Sequence, residues 1–325
     1  MSTQDAAASE KRSLPLPKAR GRLQLQEYAL VGVVALILIV GAILEPDSFL
    51  TSDNMLNVLR QASVVGVLAI GMTFVIATGG IDLSVGSMVA AAAVAGGQLA
   101  ESGSVAFVLG ALAMGILLGG INAGAVAFGR VVPFIATLAM FTMARGLALW
   151  LSDKTPVSLF SLDGVRWFGN GEVLGIPSAA IVFLAVTLFA WVLLNRTRYG
   201  RYVVATGGNR EAARIAGVRV PWIIFSVYVI TGICAGIAAI LVSGRLASAS
   251  PIIGNLYELD AIAAVVIGGS ALAGGRATIV GTFLGVITFA LIFNLLTLMD
   301  LAVEIQQITK GLIILAAVLV QRRER

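Results

Sequence analysis

The side chains that could carry catalysis or metal binding are scarce in this sequence. Histidine is absent, and the single cysteine, Cys234, lies in an apolar run, so histidine bases, histidine ligands and an internal disulfide are excluded. Carboxylates do not cluster, and Lys310 has no serine near it in the sequence with which to form a nucleophile–base pair. We therefore expect no catalytic residue and no metal site, and an intramembrane enzyme is the weakest of the functions considered.

Asp82 is the one charged residue between Arg60 and Glu101, and it follows a pair of glycines. A carboxylate at membrane depth is costly unless it faces water, protein or a helix N-terminus. Two interpretations stay open. Asp82 either caps the next helix at the cytoplasmic interface, or belongs to a broken-helix gate that lines a transport pathway. The candidate pathway residues are Asp82, Ser84, Asn122, Phe134 and Thr137, although an interhelical hydrogen bond is the simpler role for Asn122.

The composition determines the class of protein that must position these residues. Apolar residues make up 58% of the 325, charged residues only 12%, and the mean hydropathy is +0.98. A globule of this size cannot hide so much apolar surface, because folded proteins always leave a large area in water. A soluble enzyme, a disordered chain and a nucleic-acid-binding module are excluded, which leaves an all-α polytopic membrane protein.

Ten apolar windows, nearly free of charge, predict about ten transmembrane helices. The runs are continuous rather than alternating, which excludes an outer-membrane barrel. Residues 79–87 and 268–276 share an outline of an apolar run, two glycines and small residues, so broken or short helices and a weak internal repeat are expected there. The windows are 28–44, 61–81, 83–100, 102–129, 131–151, 173–195, 220–244, 261–275, 277–299 and 311–321.

The basic residues predict the orientation. Threading ten helices places most of the 22 lysines and arginines on the side of both termini, so both termini are predicted to be cytoplasmic. The transmembrane domain then covers 28–321, with cytoplasmic tails at 1–27 and 322–325, an external loop at 152–175 and a cytoplasmic loop at 195–221. Arg145 and Lys310 fall near outer helix ends, where snorkelling to the interface is the simpler expectation. A position facing the pathway cavity is the alternative for either residue.

The cytoplasmic loop 195–221 contains the pattern of a two-turn helix. Asn209 can serve as its N-cap, Glu211 falls in the first turn, and Gly217 suits the position after its end. So short a helix does not persist alone in water, so we predict that a partner packs on its alanine face. Anchoring of the arginine-rich loop to anionic lipid is the alternative. The alanines are Ala212, Ala213 and Ala216, and Arg210 and Arg214 are available to pair with acidic groups.

Glu211, Ala212, Ala213 and Gly217 resemble the EAA motif of ABC importer permeases, the loop that docks on the ATPase. From about residue 45 the chain resembles the permeases of ribose-type sugar ABC importers, with matching stretches at 49–61, 79–87, 133–138, 144–146 and 306–311. The resemblance implies a coupling site made of Asn209, Arg210, Glu211, Ala212, Ala213, Arg214 and Gly217.

The same resemblance implies the partners and the location. They are a cytoplasmic, tandem-domain ATPase that uses ATP and Mg, an extracytoplasmic sugar-binding protein, and a second permease copy as homodimer or paralogue heterodimer. The location is the bacterial inner membrane, and no nucleic acid is involved. Gly269 and Gly274 have phosphate-loop spacing, but Gly275 and Arg276 stand where that motif needs Lys and Ser or Thr, so this subunit is expected to bind no cofactor. The alternative function is an ion-coupled secondary transporter, with Asp82 as its sole titratable candidate.

Overall fold

The computed structural model describes residues 19–323, with side chains from residue 28 to residue 319. Thirteen α-helices make up most of this range, and its strands are two-residue segments in two antiparallel pairs, Val157–Ser158 (β1) with Ser248–Ala249 (β4) and Glu172–Val173 (β2) with Ile176–Pro177 (β3). The helices are Ala19–Leu44 (α1), Ser52–Ala77 (α2), Val85–Gly97 (α3), Ser104–Ala127 (α4), Pro133–Leu151 (α5), Asp163–Asn170 (α6), Ser178–Arg196 (α7), Arg198–Gly208 (α8), Arg210–Ile215 (α9), Val220–Leu246 (α10), Tyr257–Ile267 (α11), Ile279–Leu298 (α12) and Val303–Arg323 (α13).

Six helices in the described part are long and apolar enough to cross a membrane: α2, α4, α5, α7, α10 and α12. The apolar part of α1, Tyr28–Leu44, and α3 are shorter apolar helices. Every predicted window contains a helix, yet ten crossings and cytoplasmic termini stay predictions. α1 begins at Ala19, inside the predicted tail 1–27, and what was predicted for residues 1–18 and 324–325 lies outside the described residues.

The centre of the bundle is formed by α2 and α10, whose residues are buried along most of their length. Small residues let their neighbours approach closely: a Cβ on Gly119 of α4 would lie 2.9 Å from the Gly232 Cα of α10. Likewise, a Cβ on Gly71 of α2 would lie 3.1 Å from the Thr231 Cα. Gly115 and Gly119 of α4 thus face Gly232 and Gly236 of α10. Small residues four positions apart on facing helices allow the dense packing that helix association in lipid depends on.

Two of the helices extend through only part of the bundle. α3 has 13 residues and α11 has 11, which at 1.5 Å per residue gives lengths of roughly 20 and 17 Å, short of the roughly 30 Å of a hydrocarbon core. The predicted span 261–275 is therefore helical only in its first part. Non-helical segments, 78–84 and 247–256, lead into these two half-helices.

The N-terminal ends of α3 and α11 meet inside the protein. A Cβ on Gly86, at the start of α3, would overlap the Gly254 carbonyl oxygen just before α11, and Gly254 has a φ of +72°. The other end of α3 reaches the β1–β4 pair, where a Cβ on Gly97 would lie 3.0 Å from the Ala249 Cβ. The segment 247–256 therefore runs inward from the β1–β4 end to the middle of the bundle, which the sequence analysis missed.

The predicted external loop 152–175 is a folded cap rather than a simple solvated loop. Its helix α6 packs on the end of α10, with Val165 fully buried. The Asn170 side chain donates to the Gly244 and Arg245 carbonyls at 3.2 and 3.0 Å. A salt bridge between Arg60 and Glu172 holds the β2–β3 hairpin on α2.

Candidate functional site

Four of the five candidate pathway residues lie together around the segment that precedes α3. The Asp82 carboxylate accepts from the Ser84 amide at 2.9 Å and from the Ser84 hydroxyl at 2.5 Å. Asn122 of α4 donates to the Ser84 hydroxyl at 2.8 Å, so its amide bonds the residue just before α3 rather than another helix. Thr137 of α5 donates to the Ile81 carbonyl at 3.3 Å. These contacts bind the non-helical segment 78–84 to two neighbouring helices.

The depth of Asp82 bears on its two interpretations. Asp82 accepts from the amide of Ser84, which is the N-cap residue of α3, and does not bond an amide within the helix. The carboxylate is 0% exposed and so does not sit at a water interface. Its second oxygen has no hydrogen-bond partner among the described residues. A buried carboxylate that is half satisfied is expensive, which marks this site as more than a simple cap.

Phe134 stands apart from this group. Its side chain is 52% exposed on the outer face of α5, and its carbonyl oxygen accepts from Thr137 at 3.4 Å.

Tyr228 of α10 also belongs to this group, although the sequence did not indicate it. This α10 residue is 1% exposed, its hydroxyl lies beside Gly80, and the hydroxyl has no hydrogen-bond partner in the described chain. A tyrosine within a long apolar helix is usual, so the sequence did not distinguish Tyr228 as a residue of the site.

The short helix α9 begins and ends as the sequence predicts. Asn209 is its N-cap and accepts from the Ala212 amide at 3.0 Å. Gly217 follows its end with a φ of +86°, and the amides of Gly217 and Val218 donate back to the Arg214 and Ala213 carbonyls, both at 3.0 Å. This pair of bonds is a Schellman motif, which requires a left-handed residue at its centre and so favours glycine.

The outward surface of α9 differs from the predicted alanine face. Ala213 is buried against the protein, while Ile215 is 75% exposed and, with Ala212 and Ala216, forms the apolar surface. Ile215 gave no distinct signal in the sequence, because a single isoleucine beside alanines also fits a buried face. Ala212, Ile215 and Ala216 lie three and four residues apart, so they form one exposed apolar strip on the helix.

The charged residues of α9 are already partnered within the chain. Arg214 donates to both oxygens of Glu211, at 3.0 and 2.6 Å, and this hydrogen bond and charge lower the pKa of Glu211. Arg210 reaches the Thr78 carbonyl at the end of α2, at 3.5 Å. Arg214 thus pairs with an acidic group within its own helix, whereas Arg210 points toward α2 and meets a carbonyl instead.

Glycines bring the end of α8, within the cytoplasmic loop predicted at 195–221, against the segments that connect to both half-helices. A Cβ on Gly207 would overlap the Ala77 carbonyl oxygen at the end of α2 and would lie 2.6 Å from the Gly275 nitrogen. The Gly275 amide donates to that same Ala77 carbonyl at 3.0 Å, and a Cβ on Gly274 would lie 2.7 Å from the Gly79 nitrogen. We call Gly79, Gly207, Gly274 and Gly275 the glycine junction. It joins the exposed loop to the segment before α3 and to the segment after α11.

Charged side chains occupy the region where the half-helices meet. Arg145 of α5 donates to the Pro251 and Ile253 carbonyls at 2.7 and 3.0 Å, so it holds the inward segment 247–256. Lys310 of α13 lies 2.6 Å from the Asp260 carboxylate in the first turn of α11. The prediction that Arg145 and Lys310 snorkel outward is wrong, because each finds oxygen partners inside the bundle.

The residues just described fall in a chain that matches a known family over most of its length. Residues 54–318 match the model of the family described as branched-chain amino acid transport system / permease component. No solved structure matches the chain.

Several characterised proteins are similar to it over nearly their whole lengths. The ribose import permease protein RbsC of Escherichia coli K12 is 41% identical over 93% of this chain and 95% of its own. The protein of the same name from Bacillus subtilis 168 is 43% identical over 90% and 92%. The D-allose transport system permease protein AlsC of E. coli K12 is 35% identical over 91% of each chain. The proposed resemblance to ribose-type permeases is thereby confirmed.

We expect Asp82→Asn to fold and to transport, because the asparagine Oδ1 can accept the two hydrogen bonds from Ser84 and an uncompensated buried charge is removed. Asp82→Leu should lower the free energy of unfolding by about 1–3 kcal/mol, since buried donors lose their acceptor. Thermal unfolding in detergent and solute uptake by cells measure both variants. If the asparagine variant melts normally but takes up nothing, the carboxylate itself acts in the pathway and the capping role is insufficient.

Gly207→Ala should disrupt the glycine junction, because its Cβ would overlap the Ala77 carbonyl oxygen. Overpacking of this kind costs about 1–3 kcal/mol, so the melting temperature and the folded yield should fall. Gly208→Ala is the matched control, since its Cβ would have only the Gly275 Cα nearby, at 3.9 Å. Equal melting temperatures for the two variants would show that Gly207 can move away from Ala77 and Gly275 without loss of stability.

Proposed function

We propose that this chain is the membrane-spanning subunit of an ABC importer for a monosaccharide. The chain belongs to the family of branched-chain amino acid transport system permease components. The observation that carries the proposal is the identity of 41–43% with ribose import permeases along nearly the whole of both chains. It is a multi-pass protein of the bacterial inner membrane.

The family description names amino acids, whereas the similar proteins are named for sugars: ribose, D-allose and galactofuranose. Full-length identity above 40% is the more specific indication, so we choose a sugar. Ribose, or a related pentose, comes first because its permeases are the more similar, and allose follows at 35%.

ATP hydrolysis belongs to a separate, tandem-domain ATPase subunit in this proposal, and ATP and Mg are bound there. The docking surface is α9, with Ile215, Ala212 and Ala216 facing a groove of the ATPase. A six-residue helix is marginal alone, and here its caps and one buried side, Ala213, keep it formed while the other side stays available. The Glu211–Arg214 pair lies on that accessible surface, so it can exchange partners on docking at little cost.

The orientation follows from the docking site. The α8–α9 side, the glycine junction and both termini lie in the cytoplasm, and the chain crosses the membrane ten times in our proposal, α3 and α11 counting as incomplete crossings. The α6 cap and the β2–β3 hairpin then face outward, toward an extracytoplasmic sugar-binding protein. A second permease copy, identical or paralogous, completes the transporter, and the exposed Phe134 face of α5 is available to meet it.

The mechanism we propose is alternating access driven through the glycine junction. Closure of the ATPase moves α9, and Gly207 passes the displacement to the Ala77 carbonyl and to Gly275 without intervening side chains. Because the connected segments lead to α3 and α11, a cytoplasmic movement reaches the middle of the membrane through backbone contacts alone. Asp82, Ser84, Asn122 and Thr137 hold the segment before α3 and so lie where such a movement has to act.

Reconstitution tests the function directly. We expect liposomes that contain this chain and its ATPase to accumulate labelled ribose only when the binding protein is on the permease's external side and ATP is on the ATPase side. D-allose and D-galactose serve as the comparison sugars, and an ATPase without a catalytic glutamate serves as the control. Uptake that follows a proton or sodium gradient and ignores ATP would establish a secondary transporter instead.

Ile215→Asp should prevent docking without unfolding the protein, because that side chain is 75% exposed and contacts little of its own chain. Losing a central apolar contact typically weakens an interface about 30-fold or more. Glu211→Lys, which puts positive charge at a helix N-terminus, and Gly217→Val, which strains a left-handed position, should act in the same direction. Co-purification of the ATPase and its stimulated hydrolysis provide the measurement.

The control is Leu174→Asp, which makes the same apolar-to-acidic change at a residue that is 98% exposed. Leu174 lies at the β2–β3 hairpin, on the side opposite to α9, so this variant should keep the ATPase bound. Normal assembly and transport by Ile215→Asp, Glu211→Lys and Gly217→Val together would leave the loop as a lipid anchor only.

A further inference from the structure

A cavity beside the meeting point of the half-helices carries an inference that rests on the proposed sugar import. The cavity measures about 180 Å³ and lies between α2, α11, α12 and α13. At its edge the Lys310 ammonium contacts the Asp260 carboxylate at 2.6 Å and lies 5.3 and 5.8 Å from the ring centres of Phe293 and Phe289. Amides and a hydroxyl share the lining: Gln61, Gln306 and Thr297.

The position of this ion pair argues against a purely structural purpose. Lys310 is the eighth residue of α13, roughly 11 Å along it, and lysines near helix ends usually direct the ammonium toward the interface. It instead pairs with a buried carboxylate, and side-chain exposures of 17% and 12% mean that both groups have lost most of their hydration. Apolar residues of similar volume hold helices together at least as well as such an ion pair. A buried ion pair inside a membrane protein therefore indicates a functional site.

The chemistry of the lining selects one class of ligand. Lys310 and Asp260 cancel in charge, which disfavours a lone anion or cation, and together they offer both donors and an acceptor. A sugar hydroxyl donates and accepts at once, so it can insert between such groups and keep both satisfied. The two phenylalanine rings supply an apolar face for the C–H side of a sugar ring.

We propose that this cavity is a transit subsite for a neutral, hydroxyl-rich solute, with Lys310, Asp260 and Gln61 as its polar contacts and Phe293 as its apolar wall. A sugar released into the membrane region would pause here, beside the first turn of α11. Since α11 leads to the glycine junction, a shift of that helix would change the site as the transporter changes state. Binding is weak, because a transport pathway has to release what it holds.

Saturation-transfer NMR on the full-length permease in nanodiscs of phosphatidylcholine, with ribose as the probe, tests the site without the binding protein or ATP. We expect signals on the ribose ring protons for the wild type and their loss in the double variant Asp260→Leu with Lys310→Met. The double replacement keeps the pair neutral and leaves no unpaired charge, so the protein should still fold and bind the ATPase. Gln61→Leu should weaken binding by about tenfold, the loss expected for one or two hydrogen bonds.

Gln307→Leu is the matched control, since Gln307 lies next to Gln306 on the same helix but is exposed and lies outside the cavity lining. It should leave the ribose signals unchanged. In the reconstituted transporter, the double variant should lower ribose turnover at saturating binding protein by about tenfold or more, whereas Gln307→Leu should not.

Several results would overturn the proposal. Wild-type signals in the double variant, or undiminished turnover, would reduce the Lys310–Asp260 pair to a connection between α11 and α13. Loss of turnover confined to vesicles that contain anionic lipid would assign the site to a lipid phosphate. A wild-type protein that imports ribose but gives no ribose signal would also refute the subsite while leaving the import function intact. Failure of the wild type to import any sugar would instead refute the import function.

Discussion

The contact between Gly86 and Gly254 is the constraint on which the interior of this protein depends. Each residue's carbonyl oxygen lies where a Cβ of the other would be, so a side chain at either position would force the two segments apart. The N-termini of α3 and α11 can meet only because both positions are glycine. Non-helical backbone at membrane depth is tolerated where protein covers it or where it lines a cavity. Most of 78–84 is buried, whereas 247–256 is buried at Gly254 but exposed at Ile252 and Asn255.

Two half-helix N-termini at one place leave unpaired amides and a local positive potential that the rest of the site has to balance. Asp82 accepts from the Ser84 amide at the start of α3, and Glu258 and Asp260 occupy the first turn of α11. These carboxylates in turn require partners, which explains why α5 and α13 supply Arg145 and Lys310 nearby. The buried charges therefore follow from the broken helices, rather than being an independent feature of the sequence.

Much of the helical framework could be predicted from apolar runs, because any long lipid-compatible segment has to satisfy its own backbone. The ends of α9 were also predictable, since Asn209 and Gly217 act within a few residues of chain, and so was the proximity of Ser84 and Asp82. The inward turn at 247–256 was not, although Pro251 and Gly254 are visible turn signals, because an outer loop has the same signals. Whether Lys310 snorkels or pairs inward depends on Asp260, 50 residues away, and no local pattern contains that information.

The same geometry fits the proposed coupling, in which a partner ATPase binds the nucleotide and this subunit moves in response. Side chains between α9 and the half-helices would absorb part of any displacement by changing rotamers, whereas backbone in direct contact cannot. At Gly207 the contact with Ala77 and Gly275 contains no side-chain atoms from the loop, and the Gly275–Ala77 hydrogen bond joins the two membrane segments to each other. In the proposed mechanism, a push on α9 would therefore reach the start of α3 and the end of α11 as one movement. Because those two helices meet at Gly86 and Gly254, the displacement converges on the region that contains Asp82, Glu258 and the Lys310–Asp260 pair.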